Sequence, residues 1–232
     1  TTWPSAPFGA WRLWDAGVSW KQLEPSRGSY RWSVLDEDVQ LAADHRVEID
    51  MVLGLTPQWA SARPNESSAY GPGNAAEPAD MNDWRDFVVA VGTRYRGRIT
   101  VYEIWNEPNL VQFYTGTVDK LVQMAQIAAT ELKRIDPAIR IVCPATTVRD
   151  TTWIDSFWSK GGAAITDVVG YHFYVWPGPP ENMLAIVKSV QAVMAKHGLA
   201  GRPLWNTESG WYIQNQNTFV NQNGVITLDT AS

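Results

Sequence analysis

Two glutamates stand where an apolar, strand-like run meets a loop: Glu107 in Ile104-Trp105-Asn106-Glu107-Pro108-Asn109, and Glu208 in Trp205-Asn206-Thr207-Glu208-Ser209-Gly210-Trp211. A carboxylate among aromatic and amide side chains is costly to desolvate unless it has partners or a task, so two of them point to acid/base work. Either one alone is equally well explained as an ion-pair partner or a neighbour of a helix N-terminus. Glycoside hydrolysis needs such a pair, one carboxylic acid to protonate the leaving oxygen and one carboxylate to attack the anomeric carbon or activate water. Retention requires the two carboxyl groups roughly 5 to 5.5 Å apart, and inversion roughly 6.5 to 9.5 Å. Asn106 could hold the sugar hydroxyl beside the reacting carbon, a contact that strengthens as oxocarbenium character develops. Trp59 and Trp211 could stack on sugar rings, because indole joins a broad apolar face to a polar rim. The chain carries 13 Trp against 8 Tyr and 6 Phe, an inverted order that suits sugar platforms, although any single Trp can simply fill a core.

Something must hold these residues in place, and the sequence alternates two kinds of element. Strand-like runs occupy Trp11 to Asp15, Glu48 to Leu53, Ile99 to Trp105, Arg140 to Cys143, Asp167 to Phe173 and Pro203 to Thr207. Between them lie five helical patterns. Ser33 to Asp36 resembles a capping box and opens one that runs to about Arg46. Asp80 can cap the next, with Trp84, Phe87, Val88, Val91 and Tyr95 on one face and a stop near Gly97. Thr117 can open a third, with Leu121, Met124, Ala125, Ala128 and Leu132 inward, ended by Asp136-Pro137. A short one spans Thr152 to Lys160, and the last shows Met183, Ile186, Val187, Val190 and Met194 before Gly198. Strict βαβα alternation implies a parallel sheet with right-handed crossovers, hence a doubly wound sheet or a (β/α)8 barrel. No GxGxxG follows the first strand, and the interesting residues sit at the C-terminal ends of several strands, where barrel enzymes keep their chemistry. Ser61 to Pro78 and Tyr212 to Gly224 read as surface loops.

Composition narrows the partners. At 232 residues with 45% hydrophobic and 19% charged side chains, one domain is expected. A net charge of −5 gives no electrostatic reason to expect nucleic acid or an anionic membrane. One cysteine, Cys143, and three histidines without CxxC or HExxH spacing leave little material for a metal, and no cofactor is expected. No apolar run approaches the roughly 18 residues that span a bilayer, and the first residues lack the pattern of a signal peptide.

The ordered set of Arg12 in Arg12-Leu13-Trp14-Asp15, Asn106-Glu107-Pro108, His172-Phe173-Tyr174 and the second glutamate in WNTESGW resembles clan A of the glycoside hydrolases. Within it, RLWDAGVSWKQLEPSRGSYRWSVLD and YEIWNEPN look most like family 39, which includes β-xylosidases, α-L-iduronidases and exopolysaccharide-cleaving enzymes. The resemblance implies a retaining double displacement in a (β/α)8 barrel, on a carbohydrate met outside the cytoplasm or in the periplasm. Glu107 would be the general acid and then base, and Glu208 the nucleophile. Arg12 and Tyr174 match residues that hold the nucleophile ionised and oriented, and His172 matches an active-site histidine on the same strand. Arg12 is alternatively a buried ion-pair partner of Glu103, and His172 a core histidine with satisfied hydrogen bonds.

By the same comparison the six strands are the second to the seventh, with the first and eighth missing from this chain. An open arc would leave two parallel edges exposed. The chain is therefore read as an incomplete barrel, part of a longer protein, with Val225 to Leu228 as one further strand candidate. A family 5-like endoglucanase and a carbohydrate-binding barrel without turnover are the alternatives. Sugar identity, linkage, exo or endo action and oligomeric state are left open.

Overall fold

Alternating strand and helix segments have one economical solution, in which parallel strands are hydrogen-bonded side by side and each crossover helix covers the outer face. The computed structural model describes residues 3–149 and 151–210, with the backbone of 220–221 and 224–225. It takes that solution. Strands β1 (Ala10–Leu13), β2 (Glu48–Leu53), β3 (Val101–Ile104) and β4 (Arg140–Val142) pair in parallel in that order. β5 (Val169–His172) pairs in parallel with β6 (Leu204–Glu208). Parallel bridges from Val142 to Val168 and from Thr146 to Tyr171 continue β4 into β5, so the six strands form one arc.

Each strand sends alternate side chains to opposite faces. Outward-facing Leu13, Ile49, Met51, Leu53, Tyr102, Ile104, Ile141, Val169 and Tyr171 join the helices in one apolar core. The inner face is mixed: Val101, Val142, Val168 and Trp205 make a small apolar cluster, and Arg12, Asp50 and Glu103 share that face. Gly170 is the narrow point of this interior. A Cβ there would stand 2.8 Å from Val142 Cγ1 and 3.4 Å from both Glu103 Oε2 and Thr207 Oγ1.

The helices follow their sequence punctuation with two exceptions. In α3 (Met81–Arg94) the Asp80 side chain accepts from the Asn82 N–H, and in α4 (Val118–Ile135) the Thr117 side chain accepts from the Lys120 N–H. Each satisfies a backbone donor that the first turn leaves free. α5 (Thr152–Ser159) and α6 (Met183–Lys196) lie where the periodicity puts them. In α2 (Ser33–His45), however, Ser33 is already helical and Trp32 takes the N-cap position without a side-chain cap, so the expected capping box does not form. The reciprocal cap belongs to α1 (Trp20–Leu23), a single turn that periodicity missed, where Ser19 and Gln22 satisfy each other. Of the second expected loop, only β7 (Val220–Asn221) and β8 (Gly224–Val225) are described, as a two-stranded antiparallel pair; the rest of it, and 226–228, lie outside the described residues. Among the described residues no helix is long and apolar enough to cross a membrane.

Overpacking the inner face should be felt at once. Gly170→Val is expected to cost about 1–3 kcal/mol, because the β-branched Val142 cannot swing away from the inserted methyl groups. The check is a lowered midpoint of thermal or denaturant unfolding, and an unchanged midpoint would contradict the packing described.

Candidate active site

The chemistry gathers at the C-terminal ends of β1, β3, β5 and β6. Backbone left-handed in φ is uncommon for residues other than glycine. Four such residues, Asp15, Leu55, Trp105 and Glu107, lie within three positions of the ends of β1, β2 and β3. Trp105 and Glu107 have φ of 66° and 43°, and the turn is held by the Trp105 N–H donating to the Leu53 carbonyl and the Glu107 N–H to the Ala145 carbonyl. That turn aims Glu107 into the mouth of the arc. Glu208 arrives from β6, where a register shift at Tyr171/His172 brings it opposite His172. Irregular pairing of this kind redirects a side chain at the rim of a sheet.

Arg12 organises the site. Its Nε donates to Glu103 Oε1 at 3.0 Å, one terminal nitrogen donates to Glu208 Oε2 at 2.8 Å, and the other to Asn106 Oδ1 at 2.7 Å and again to Glu103. The ion pair with Glu103 offered as an alternative and the contact with Glu208 therefore both exist. Burial works against the guanidinium charge, but Glu103, with help from Glu208 and Asp50, outweighs it and raises the pKa above the ordinary arginine value. Tyr174 donates its hydroxyl to Glu208 Oε1 at 2.8 Å. Burial, then the bond to Glu208, pushes the phenol pKa up, so Tyr174 remains a donor. Each oxygen of Glu208 thus has a donor, an arrangement that fixes the orientation of the carboxyl group.

Glu107 has different surroundings. It is 7% exposed, and its Oε1 lies 2.8 Å from Nδ1 of His172, which is fully buried. Among the described residues His172 Nε2 has no partner. The histidine packs against Glu107, where it shares a hydrogen bond with the carboxyl group, and is not among the described residues that line the cleft. One oxygen each of Glu107 and Glu208 and Nδ1 of His172 all lie within 4.8 Å of one another. Such a trio could ligate a cation, but Glu208 already has Arg12 and Tyr174, and Glu107 has His172.

Both glutamates open on one cleft of about 420 Å³, lined also by Arg12, Trp14, Asp15, Tyr70, Asn106, Phe113 and Thr207. Asn106 is buried and faces it, with its carbonyl oxygen turned to Arg12 and its NH2 left to donate. Trp59 is not on the wall. It rides on the short turn Gln58–Ala60, packs edge-on against Trp20 at 6.2 Å, donates its indole N–H to the Glu24 carbonyl and lies under the Arg27 guanidinium. The turn after β2 directs it into the core. Trp211 lies outside the described residues. The aromatic wall consists of Trp14, Tyr70 and Phe113, which sequence reasoning passed over. A signal existed for Tyr70, the lone aromatic residue between Ser61 and Pro78.

Below Arg12, Asp50 is its register partner on β2, yet Arg12 makes no hydrogen bond to it, and among the described residues Asp50 Oδ1 has no partner. Burial first, then the Glu103 charge, outweighs the pull of Arg12 and raises the Asp50 pKa well above the usual carboxylate range. In the unfolded chain this group ionises near pH 4, whereas the folded protein keeps its proton to higher pH. Asp50 therefore contributes its full share of stability below about pH 4 and loses it as pH rises toward the folded-state pKa. Asp50→Asn keeps the shape and cannot ionise, so its melting temperature should gain on wild type as pH rises from about 4 to 8. A difference that does not change with pH would contradict the assignment.

Comparison with known proteins comes to the same place. The Glycosyl hydrolases family 39 profile matches residues 10–209. A β-xylosidase of Geobacillus stearothermophilus is 28% identical over 207 residues, covering 77% of this chain and 40% of the relative, and one of Caldicellulosiruptor saccharolyticus is 28% identical over 200 residues, covering 82% and 39%. The chain thus spans about two fifths of the length of these curated relatives. Among solved structures, a monomeric β-xylosidase from Caulobacter crescentus CB15 superposes with a TM-score of 0.66 at 24% identity, over 78% of this chain and 41% of that one. A glucosidase from Croceicoccus marinus superposes with a TM-score of 0.68 at 16% identity, over 90% and 45%. At those identities the superpositions speak for the fold, while the profile match, running from the first residue of β1 to one residue past Glu208, shows that this chain belongs to glycosyl hydrolase family 39.

Proposed function

We propose that the chain is the catalytic part of a retaining glycoside hydrolase that cleaves β-type, equatorial bonds in an oligosaccharide or polysaccharide by double displacement. The observation that carries this reading is the approach of a Glu107 oxygen to within 4.8 Å of a Glu208 oxygen across one cleft. That spacing is nearer the roughly 5–5.5 Å of retaining pairs than the roughly 6.5–9.5 Å of inverting ones, and so favours direct attack by one carboxylate. The different surroundings of the two groups support a division of roles. Glu208, held by Arg12 and Tyr174, attacks the anomeric carbon while Glu107 gives its proton to the departing oxygen. Glu107 then takes a proton from water, the resulting hydroxide attacks the same carbon, and Glu208 leaves with the electron pair of the glycosyl–ester bond. His172 exchanges a hydrogen bond with Glu107 through this cycle, and the Asn106 NH2 is placed to hold the neighbouring hydroxyl. The names of the curated relatives favour a β-linked substrate.

The arc itself fits β1 to β6 as strands two to seven of an eight-stranded barrel. β1 and β6 are its two edges, and a groove of about 470 Å³ lies between them, lined by Ala10, Arg12, Glu48, Asp50 and Leu204 to Thr207. Two further strands of the whole protein would occupy it and complete the support beneath Arg12.

In the enzyme, Glu208→Gln should abolish turnover while sparing sugar binding. Glu107→Gln should slow substrates with poor leaving groups about 10²–10⁴-fold and barely slow glycosylation by dinitrophenyl glycosides, whose leaving group needs no proton. NMR of the first-formed product should show the anomeric configuration of the substrate. An inverted product would overturn the mechanism, and binding without turnover, unaffected by Glu208→Gln, would leave a carbohydrate-binding barrel.

A further inference from the structure

The wall of the cleft beyond β1 carries a group that the double displacement does not use. Asp15 follows β1 with φ of 55°, a conformation that Asp tolerates better than most residues because its short side chain bonds locally. Its Oδ2 accepts from the Tyr70 hydroxyl at 3.1 Å, and that hydroxyl accepts from the Trp14 indole N–H at 3.1 Å. Direction is therefore assigned along the whole chain. Trp14 can only donate, so Tyr70 must donate onward to Asp15, and burial, then the Asp15 bond and charge, raises the phenol to about 12. Among the described residues nothing donates to Oδ1 of Asp15, so what remains for a ligand is acceptor capacity: that oxygen and a lone pair on the Tyr70 oxygen.

The wall is rigid. Lys21 Nζ donates to the Tyr70 carbonyl and to Asn74 Oδ1, Asn74 donates to the Thr56 carbonyl at 2.8 Å, and Ser61 Oγ donates to the Gly73 carbonyl at 2.8 Å. Gly73, with φ of 74°, has no room for a Cβ, which would lie 2.9 Å from Pro64 Cα. The segment read from sequence as a plain surface loop is thus tied down on both sides of Tyr70.

Charge adds a sign to the site. Asp15, Glu107 and Glu208 all line the cleft, and Arg12, the one cation among its described lining residues, has all three nitrogens bonded to Glu103, Glu208 and Asn106. Lys21 points into the adjoining cavity and is bonded to the loop. Among the described residues a sugar carboxylate would meet three carboxylates and no free cation, whereas neutral hydroxyl groups would find acceptors placed for them.

We propose that Asp15, held by Tyr70 and Trp14, is a specificity-determining residue that accepts hydrogen bonds from hydroxyl groups of a neutral glycone and rejects its uronic-acid counterpart. The inference rests on the glycosidase reading above. The test compares 4-nitrophenyl β-D-xyloside, β-D-glucoside and β-D-glucuronide, which share their ring hydroxyl configuration and differ at C5 in carrying hydrogen, hydroxymethyl or carboxylate. Wild-type enzyme should cleave at least one neutral glycoside and prefer it to the glucuronide by more than a hundredfold in kcat/KM. Asp15→Asn, which suits the same backbone conformation, should raise KM for the neutral glycoside about tenfold with a smaller change in kcat, and narrow the preference over glucuronide at least tenfold. Tyr70→Phe should shift both in the same direction by a smaller factor. Glutamate-dependent turnover with KM and preference unchanged in Asp15→Asn would overturn this inference and leave the glycosidase standing, as would a wild-type preference for the glucuronide. Failure of the wild type to cleave any glycoside that it binds would remove the glycosidase reading and this inference with it.

Discussion

The guanidinium of Arg12 ties three strands of the arc to one another at the level of the chemistry. From β1 it reaches Glu103 on β3, Asn106 just beyond β3, and Glu208 at the end of β6, the far edge of the arc. A charge this buried is tolerable only if its donors find acceptors, and a planar fork with fixed donor directions makes the partners' positions interdependent. Moving Glu103 would move Arg12, and moving Arg12 would release one oxygen of Glu208. Catalytic geometry and interior packing are for this reason one problem here: Gly170 leaves room for Glu103 Oε2, so a methyl group on the inner face of β5 is felt at the opposite edge.

The interior is also short of positive charge. Arg12 faces Asp50, Glu103 and Glu208, with Glu107 close by. Asp50 responds with a raised pKa, and Glu208 has a second, uncharged donor in Tyr174. Glu107 has the imidazole of His172 as its partner instead of a guanidinium. Two glutamates a few ångströms apart thus stand in unlike surroundings, and the proposed division of roles rests on that difference.

Backbone strain accumulates at the same rim. Asp15, Leu55, Trp105 and Glu107 adopt left-handed φ just past strand ends, and each is over-determined by the packed strand that precedes it. Two of these residues line the cleft directly, and Leu55 borders the cavity beside it. Rigid strands and strained turns together place side chains more accurately than mobile loops would.

Local pattern was enough to determine the six strands, five of the helices and the two glutamates, because hydrophobic period, caps and breakers act over a few residues. Thr117 and Asp80 cap the helices they begin, and Glu107 and Glu208 lie at strand ends as their flanking residues imply. The single turn of α1 was too short for periodicity to register, and Ser33 looked like a cap because spacing alone cannot show which residue first turns helical. What only the tertiary structure decided was direction. Trp59 and Trp14 are the same residue type near strand ends, yet one packs into the core and the other onto the cleft, because the backbone after each strand turns differently. Likewise Arg12 resolves as a partner of both Glu103 and Glu208, His172 as a support behind Glu107, and Tyr70 as part of the cleft wall. These outcomes depend on groups between 55 and 196 residues apart in the chain, contacts that no local spacing encodes.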